Sequence, residues 1–179
     1  TCLYRTFESL RMLSIDINCD MGESTHLWPY HVEKDHLLLS YVSSINLACG
    51  YHAGNEEIMA QTIELALKHN VCIGAHPSFF DRENFGRREM NLPPDEIYDL
   101  VLLQLRTIDK IAKEKNAKLN HVKPHGALYN ISAREPRVAQ AIAHAVKDFD
   151  DKLILFVLSN SRHSIEQAEL LNLKTASEV

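Results

Sequence analysis

Four apolar, strand-like runs in this chain are each followed at once by a short polar motif, and that repeated pairing leaves few folds open. The motifs are Asp16-Ile17-Asn18-Cys19-Asp20-Met21-Gly22-Glu23, Asn46-Leu47-Ala48-Cys49-Gly50-Tyr51-His52-Ala53-Gly54, Gly74-Ala75-His76-Pro77-Ser78 and Val122-Lys123-Pro124-His125-Gly126-Ala127-Leu128-Tyr129-Asn130. Amphipathic stretches separate them. Short apolar strands joined by such helices build a parallel sheet with helices packed over it, because each crossover returns the chain to the same end of the sheet. Every motif then falls at one end. Parallel α/β folds gather their reacting groups on that rim, here a carboxylate and three imidazoles.

The run over 14–19 reads as a buried strand, the leucine-rich segment over 32–41 as a short helix, and 44–49 as a second strand. Asn55 then caps a helix with Glu56 and Glu57 in its first turn and Ile58, Met59, Thr62, Ile63 and Ala66 on one face, ending at Asn70. A third strand over 71–75 leads into a long loop through Phe79, Phe80, Asp81, Gly86, Arg87 and Arg88. Loops of this length are often functional. Pro94 opens a long helix with the apolar stripe Ile97, Leu100, Val101, Leu105, Ile108 and Ile111. After a fourth strand over 120–124, Ser132 and Glu135 read as the capping box of a helix carrying Val138, Ile142, Ala145 and Val146. A fifth strand over 152–158 and a fifth helix over 162–171 follow, and 174–179 stand where a sixth strand would start. A closed β/α barrel takes about 250 residues. The 179 residues here point to a smaller open sheet or to a barrel lacking its C-terminal part, with strand edges of the kind proteins tend to cover.

With 45% hydrophobic residues, a chain of this length can bury one core, so a single domain suffices. The net charge of -5 and the scattered Lys and Arg offer no basic stripe for a nucleic acid. No apolar run approaches the roughly 20 residues that cross a bilayer, and 1–12 lack the apolar core of a signal peptide. A soluble cytoplasmic protein without membrane contact is expected. The four cysteines, Cys2, Cys19, Cys49 and Cys72, show neither CxxC nor zinc-knuckle spacing. Buried reduced thiols are the expectation, with Cys19 or Cys49 as a nucleophile the alternative. The absence of HExxH, GxSxG and GxxxxGK[ST] disfavours a zincin, a serine hydrolase and a P-loop ATPase.

In the first motif, Asp16, Asn18 and Asp20 imitate the start of a calcium-binding loop, but the glycine comes one position late and Glu23 too early. Their alternation with Ile15, Ile17 and Cys19 instead places all three on one face of a strand, towards a polar interior, with Glu23 on the loop above. Hydrogen bonding of Asp16 and Asn18 to neighbouring backbone is the structural alternative. Gly50 and Gly54 let the chain turn on either side of His52, beside a helix N-terminus that favours an anion. Pro77 fixes the exit from His76, and Arg87 or Arg88 can clamp a substrate carboxylate, one of them alternatively being a solvated loop charge. Lys123 and His125 lie on one side of a strand end across Pro124, with Tyr129 and Asn130 just beyond. His31, His36, His69, His121, His144 and His163 lack such surroundings and read as surface or packing residues.

Taken in order, Asp-x-Asn-x-Asp-x-Gly-Glu, Ala-Cys-Gly-Tyr-His-Ala-Gly, Gly-Ala-His-Pro-Ser followed by Phe-Gly-Arg-Arg, and Lys-Pro-His-Gly-Ala-Leu-Tyr-Asn closely resemble the LamB/YcsF family. That family is named for lactam utilisation and is associated with the A subunit of the prokaryotic 5-oxoprolinase. The resemblance runs from about Ile15 to the end. It sets 1–11 apart as an extension and makes 12–179 the N-terminal two-thirds of a family-like domain. The fold it implies is a TIM-like β/α barrel of the glycoside hydrolase/deacetylase type, seven-stranded in the family and here C-terminally incomplete. The implied activity is ATP-dependent hydrolytic opening of 5-oxo-L-proline to L-glutamate, with 5-oxoprolinase B and C subunits as partners, nucleotide chemistry depending on those partners, and a homo-oligomer left open. On this likeness Asp20, His52, His76 and His125 would hold a divalent metal or position a water, and Lys123 would stabilise oxyanion charge. Asn18, Glu23, Arg87, Arg88, Tyr129 and Asn130 would contact the substrate. Asn55 departs from the family, which often has Asp there, and removes a charge from the rim. Two alternatives stand beside this activity: a metal-dependent polysaccharide or amide deacetylase-like hydrolase, and a non-catalytic ligand-binding subunit.

Overall fold

Six strands pair in chain order into one parallel sheet: β1 (Asn18–Met21), β2 (Ser44–Ala48), β3 (Cys72–His76), β4 (Leu119–Val122), β5 (Ile154–Leu158) and β6 (Lys174–Glu178). Among the described residues, the helices with both ends described are α1 (Glu56–His69), α2 (Pro94–Glu114), α3 (Gly126–Arg134), α4 (Pro136–Phe149) and α5 (Arg162–Leu170). This computed structural model describes residues 15–27 and 36–179. The expected extension over 1–11, the start of the first expected strand, His31 and the first part of the helix expected over 32–41 lie outside the described residues. Residues 36–38 are helical, and 174–178 do form a sixth strand.

The sheet is curled, and a lysine shows it. In a flat sheet β4 would stand three strand spacings, about 14 Å, from β1. Yet Lys123, one residue past β4, places Nζ 3.3 Å from Asn18 Oδ1 on β1 and 2.6 Å from Glu178 Oε1 on β6. The six strands therefore make a half-barrel whose two edges, β1 and β6, face each other across a gap of about 630 Å³. Ile15 and Ile17 stay exposed beside that gap.

Local chemistry explains the helices. The Asn55 side chain accepts from the Ile58 amide at 2.9 Å, Glu56 and Glu57 face the positive end of the helix dipole, and Asn70 closes α1 at φ 56. Met59, Thr62, Ile63 and Ala66 are the buried face of α1. Pro94 opens α2, and Ile97, Val101, Leu105, Ile108 and Ile111 are buried, with α2 packed on α4.

Two expectations change. The sequence predicts one helix after β4, capped by Ser132 and Glu135, but there are two. Ser132 lies inside α3, where its hydroxyl donates to the Tyr129 carbonyl at 2.7 Å, and Glu135 makes no capping bond. The break belongs to Pro136, which has no N–H to lose in a first turn and drives Glu135 into extended backbone at φ -112, ψ 105. Cys72 is exposed at the start of β3 rather than buried, and Cys19 is only partly buried. Cys49 is buried, and burial pushes its thiol up to about 12, which disqualifies it as a nucleophile near neutrality. Cys2 lies outside the described residues. Among the described residues no helix is long and apolar enough to cross a membrane.

Inside the half-barrel the His121 ring lies against Gly74, where an added Cβ would overlap the imidazole, and the β3–β4 register shifts at that point. Gly74→Ala is expected to destabilise the fold by about 1–3 kcal/mol through overpacking. A lowered urea midpoint at constant slope would report it; an unchanged midpoint would show that His121 has room to move.

Candidate active site

A buried amide organises the polar interior. Asn46, with no exposed surface, donates from Nδ2 to Asn18 Oδ1 at 2.6 Å and to Asp20 Oδ1 at 2.9 Å, while its Oδ1 accepts from His121 Nε2 at 2.8 Å. Asp16 accepts from the Ser43 and Ser44 hydroxyls at 2.5 and 2.7 Å. Asp16, Asn18 and Asp20 thus share one face, as their alternation predicts, and their partners are side chains rather than neighbouring backbone. Past β1 the chain turns at Gly22, φ +70, where a Cβ would press on Leu47. That turn folds Glu23 back over the barrel mouth.

Three imidazoles meet the Glu23 carboxylate there. Glu23 Oε1 lies 2.9 Å from His52 Nε2, 3.3 Å from His125 Nδ1 and 3.9 Å from His76 Nε2. His52 and His125 stack, with centroids 3.7 Å apart and planes within 3°, and His76 Nε2 lies 2.9 Å from His125 Nδ1. The outward nitrogens are also engaged: His52 Nδ1 with Ser78 Oγ at 2.9 Å, His76 Nδ1 with the Lys123 carbonyl at 2.6 Å, and His125 Nε2 with the Phe85 carbonyl at 2.9 Å. Ser78 is itself fixed by Gln104, whose side chain accepts from the Ser78 amide at 3.0 Å and donates to its carbonyl at 2.9 Å. Arg82 donates to the Gly50 and Gly54 carbonyls at 2.7 and 3.0 Å, holding the His52 loop from outside.

Burial keeps two of the imidazoles, His52 and His125, neutral. It pushes His52 down to about 2, with the neighbouring His76 adding to it, and His125 down to about 3, aided by His52 and His76. Burial also raises Glu23. For Asp20 burial is outweighed by its neighbours, His76 first, with Lys123 and Asn46 adding, so its carboxyl is held well below the usual range and stays ionised.

A cavity of about 430 Å³ opens beside this cluster, lined by Asp20, His76, Arg87, Lys123, His125, Tyr129, Asn130 and Glu178, among others. Of the two loop arginines, Arg87 reaches this cavity. Arg88 instead lies 3.7 Å from the buried Asp81 carboxylate and is not part of the lining. Lys123 Nζ sits between Glu178 Oε1 at 2.6 Å and Asp20 Oδ1 at 3.5 Å, and the Tyr129 hydroxyl donates to Glu178 Oε2 at 2.8 Å. Glu178 escapes the sequence reading, since no motif surrounds it on β6. His121, expected among surface or packing histidines, is fully buried and stacked on Phe156. One sequence signal could have found it: 121, 123 and 125 alternate towards one face.

The donor atoms of Glu23, His52, His76 and His125 all lie within 4.8 Å of one another, a set able to hold a divalent metal. Asp20, the carboxylate expected in that set, pairs with only one of the three rings, His76, at 3.4 Å from its Nε2. Glu23 occupies the centre instead.

The cluster of imidazoles and carboxylates lies at the C-terminal rim of a curled parallel β/α sheet, where barrel-type enzymes keep their sites. The chain belongs to the LamB/YcsF family, whose sequence pattern matches residues 15–179. It is 48% identical over 167 residues to the 5-oxoprolinase A subunit of Bacillus cereus (strain Q1) and 49% identical over 167 residues to that of Staphylococcus carnosus (strain TM300). Each match covers 93% of this chain and 65% of the relative's length. The crystal structure of the lactam utilization protein from Thermus thermophilus superposes with a TM-score of 0.87 at 42% identity, over 93% of this chain and 66% of that one. The half-barrel is thus the fold of a lactam utilization protein over about two thirds of its length.

Proposed function

We propose that this chain carries the lactam-opening site of an ATP-dependent 5-oxoprolinase, converting 5-oxo-L-proline to L-glutamate in the cytoplasm together with B and C partner subunits. The observation that supports this most is the joining of an ionised Asp20, a lysine and the neutral His125 imidazole around one open cavity. Amide resonance makes a lactam carbonyl a weak electrophile, so both it and the attacking water need activation. Asp20 accepts a hydrogen bond from the water and orients it. As the water oxygen bonds to the carbonyl carbon, Lys123 stabilises the negative charge that moves onto the carbonyl oxygen. The ring C–N bond then breaks, the nitrogen takes up the two protons that the attacking water releases and becomes the amino group, and the carbonyl carbon becomes the new carboxylate. Arg87 meets the carboxylate the substrate already carries, and Tyr129 and Asn130 shape the cavity wall. A divalent ion at the histidine cluster would supply positive charge behind Asp20. No phosphate loop is present in the sequence, so ATP is handled through the partner subunits.

The test is turnover of 5-oxoproline with ATP, measured with and without candidate B and C subunits. Turnover is expected only in the complete mixture, and His52→Ala or His125→Ala should each lower it by about 100-fold or more. Unchanged turnover in both variants would end the assignment.

A further inference from the structure

We infer that Glu23 Oε1, His52 Nε2, His76 Nε2 and His125 Nδ1 together bind one four-coordinate divalent ion of the zinc class, and that Asp20 stays outside this set. The argument rests on where each ring must keep its hydrogen. His76 Nδ1 faces the Lys123 carbonyl and His125 Nε2 faces the Phe85 carbonyl, and a carbonyl can only accept, so both nitrogens carry N–H. The Ser78 hydroxyl donates to the Phe79 carbonyl at 2.8 Å, which leaves its lone pairs for the His52 Nδ1–H. In the tautomer these partners select, each ring turns a bare lone pair inward. His76 Nε2 and His125 Nδ1 then face each other at 2.9 Å with no hydrogen between them, and His52 Nε2 faces a carboxylate oxygen at 2.9 Å.

A proton on Glu23 can serve the His52 contact, but the facing His76 and His125 lone pairs repel one another unless a cation lies beside them. Lys123 does not fill that role, since its ammonium is taken by Asn18, Asp20 and Glu178. Among the described residues, the ion pairs of Glu23 are with the three histidines alone. The spacing fits a metal: tetrahedral bonds of roughly 2.0–2.1 Å put ligand atoms about 3.3 Å apart, and the observed separations of 2.9, 2.9, 3.3 and 3.9 Å fall on either side of that value. Three imidazoles and one carboxylate select zinc or a similar transition ion over magnesium or calcium, which prefer all-oxygen sets. The engagement of every outer ring nitrogen by a carbonyl or hydroxyl is the support that fixes ligand tautomers in metal sites. With four protein donors a tetrahedral ion keeps no open position, so its effect on the reacting groups is exerted through Asp20, 3.4 Å from His76 Nε2.

Only that last consequence rests on the lactam-opening reading, and the test separates the two. The purified chain is stripped with a chelator, reloaded with zinc or cobalt(II), and assayed for metal content and for the visible absorption of tetrahedral cobalt. One ion per chain is expected. Glu23→Gln should lose the ion, Asp20→Asn should keep it, and Ser78→Ala should weaken its affinity about 10- to 100-fold, with circular dichroism verifying that each variant is folded. A folded wild-type chain that takes up neither metal would overturn the inference, as would equal loss of the ion in Asp20→Asn and Glu23→Gln. Metal bound without turnover in the complete complex would count against the lactam reading alone.

Discussion

Asp20→Asn is expected to lower kcat/KM for 5-oxoproline opening by about 100- to 10,000-fold, the range spanned by single positioned proton-transfer groups. The substitution keeps the shape of the side chain and removes its charge. Asp20 is ionised because His76 and Lys123 stabilise the anion and Asn46 donates to it. An amide in its place presents an N–H₂ where Lys123 and the Asn46 amide both need an acceptor, so the water loses its orienting partner and Lys123 relaxes onto Glu178. The loss should fall on kcat more than on KM, because the substrate contact proposed for Arg87, on the cavity wall, is left intact. Steady-state kinetics of the complete complex would measure it, and a loss below about tenfold would remove Asp20 from the chemistry.

Phe79→Ala is expected to cost about 3–5 kcal/mol, a large part of the roughly 5–15 kcal/mol that holds a domain together. Phe79 is fully buried within the hydrophobic core, directly after Ser78. Removing its ring leaves a cavity beneath the segment that orients His52, so stability and site geometry should fail together. A denaturant midpoint lowered by that amount is the expected outcome. A cost under about 1 kcal/mol would mean that the loop collapses into the space, and that Gln104 alone suffices to hold Ser78.

Where local chemistry is decisive, the fold is legible in the residues. Asn55, the two glutamates after it and Asn70 bound α1 without help from the tertiary structure, and Pro94 does the same for the start of α2. The break between α3 and α4 is harder to see, because Ser132 and Glu135 have the spacing of a capping box while the deciding residue, Pro136, stands just beyond them. In the site, period-two alternation places Asp16, Asn18 and Asp20 correctly on one face. It does not place Glu23, because the alternation ends where Gly22 takes a positive φ and redirects the chain over the mouth. Glu178 and His121 gain their roles through curling, which brings β6 and β1 within reach of one lysine. Contacts made across a barrel leave no trace in sequence spacing.

The buried Asn46 amide has a wider consequence. Its carbonyl receives a proton donor from His121 on one wall and its amino group serves Asp20 on the other, so the hydrogen bonds all run in one direction. Chains aligned in this way polarise one another. The basicity of the rim carboxylate is therefore tuned from the buried side of the neighbouring strand, by a residue that no substrate in the mouth needs to touch.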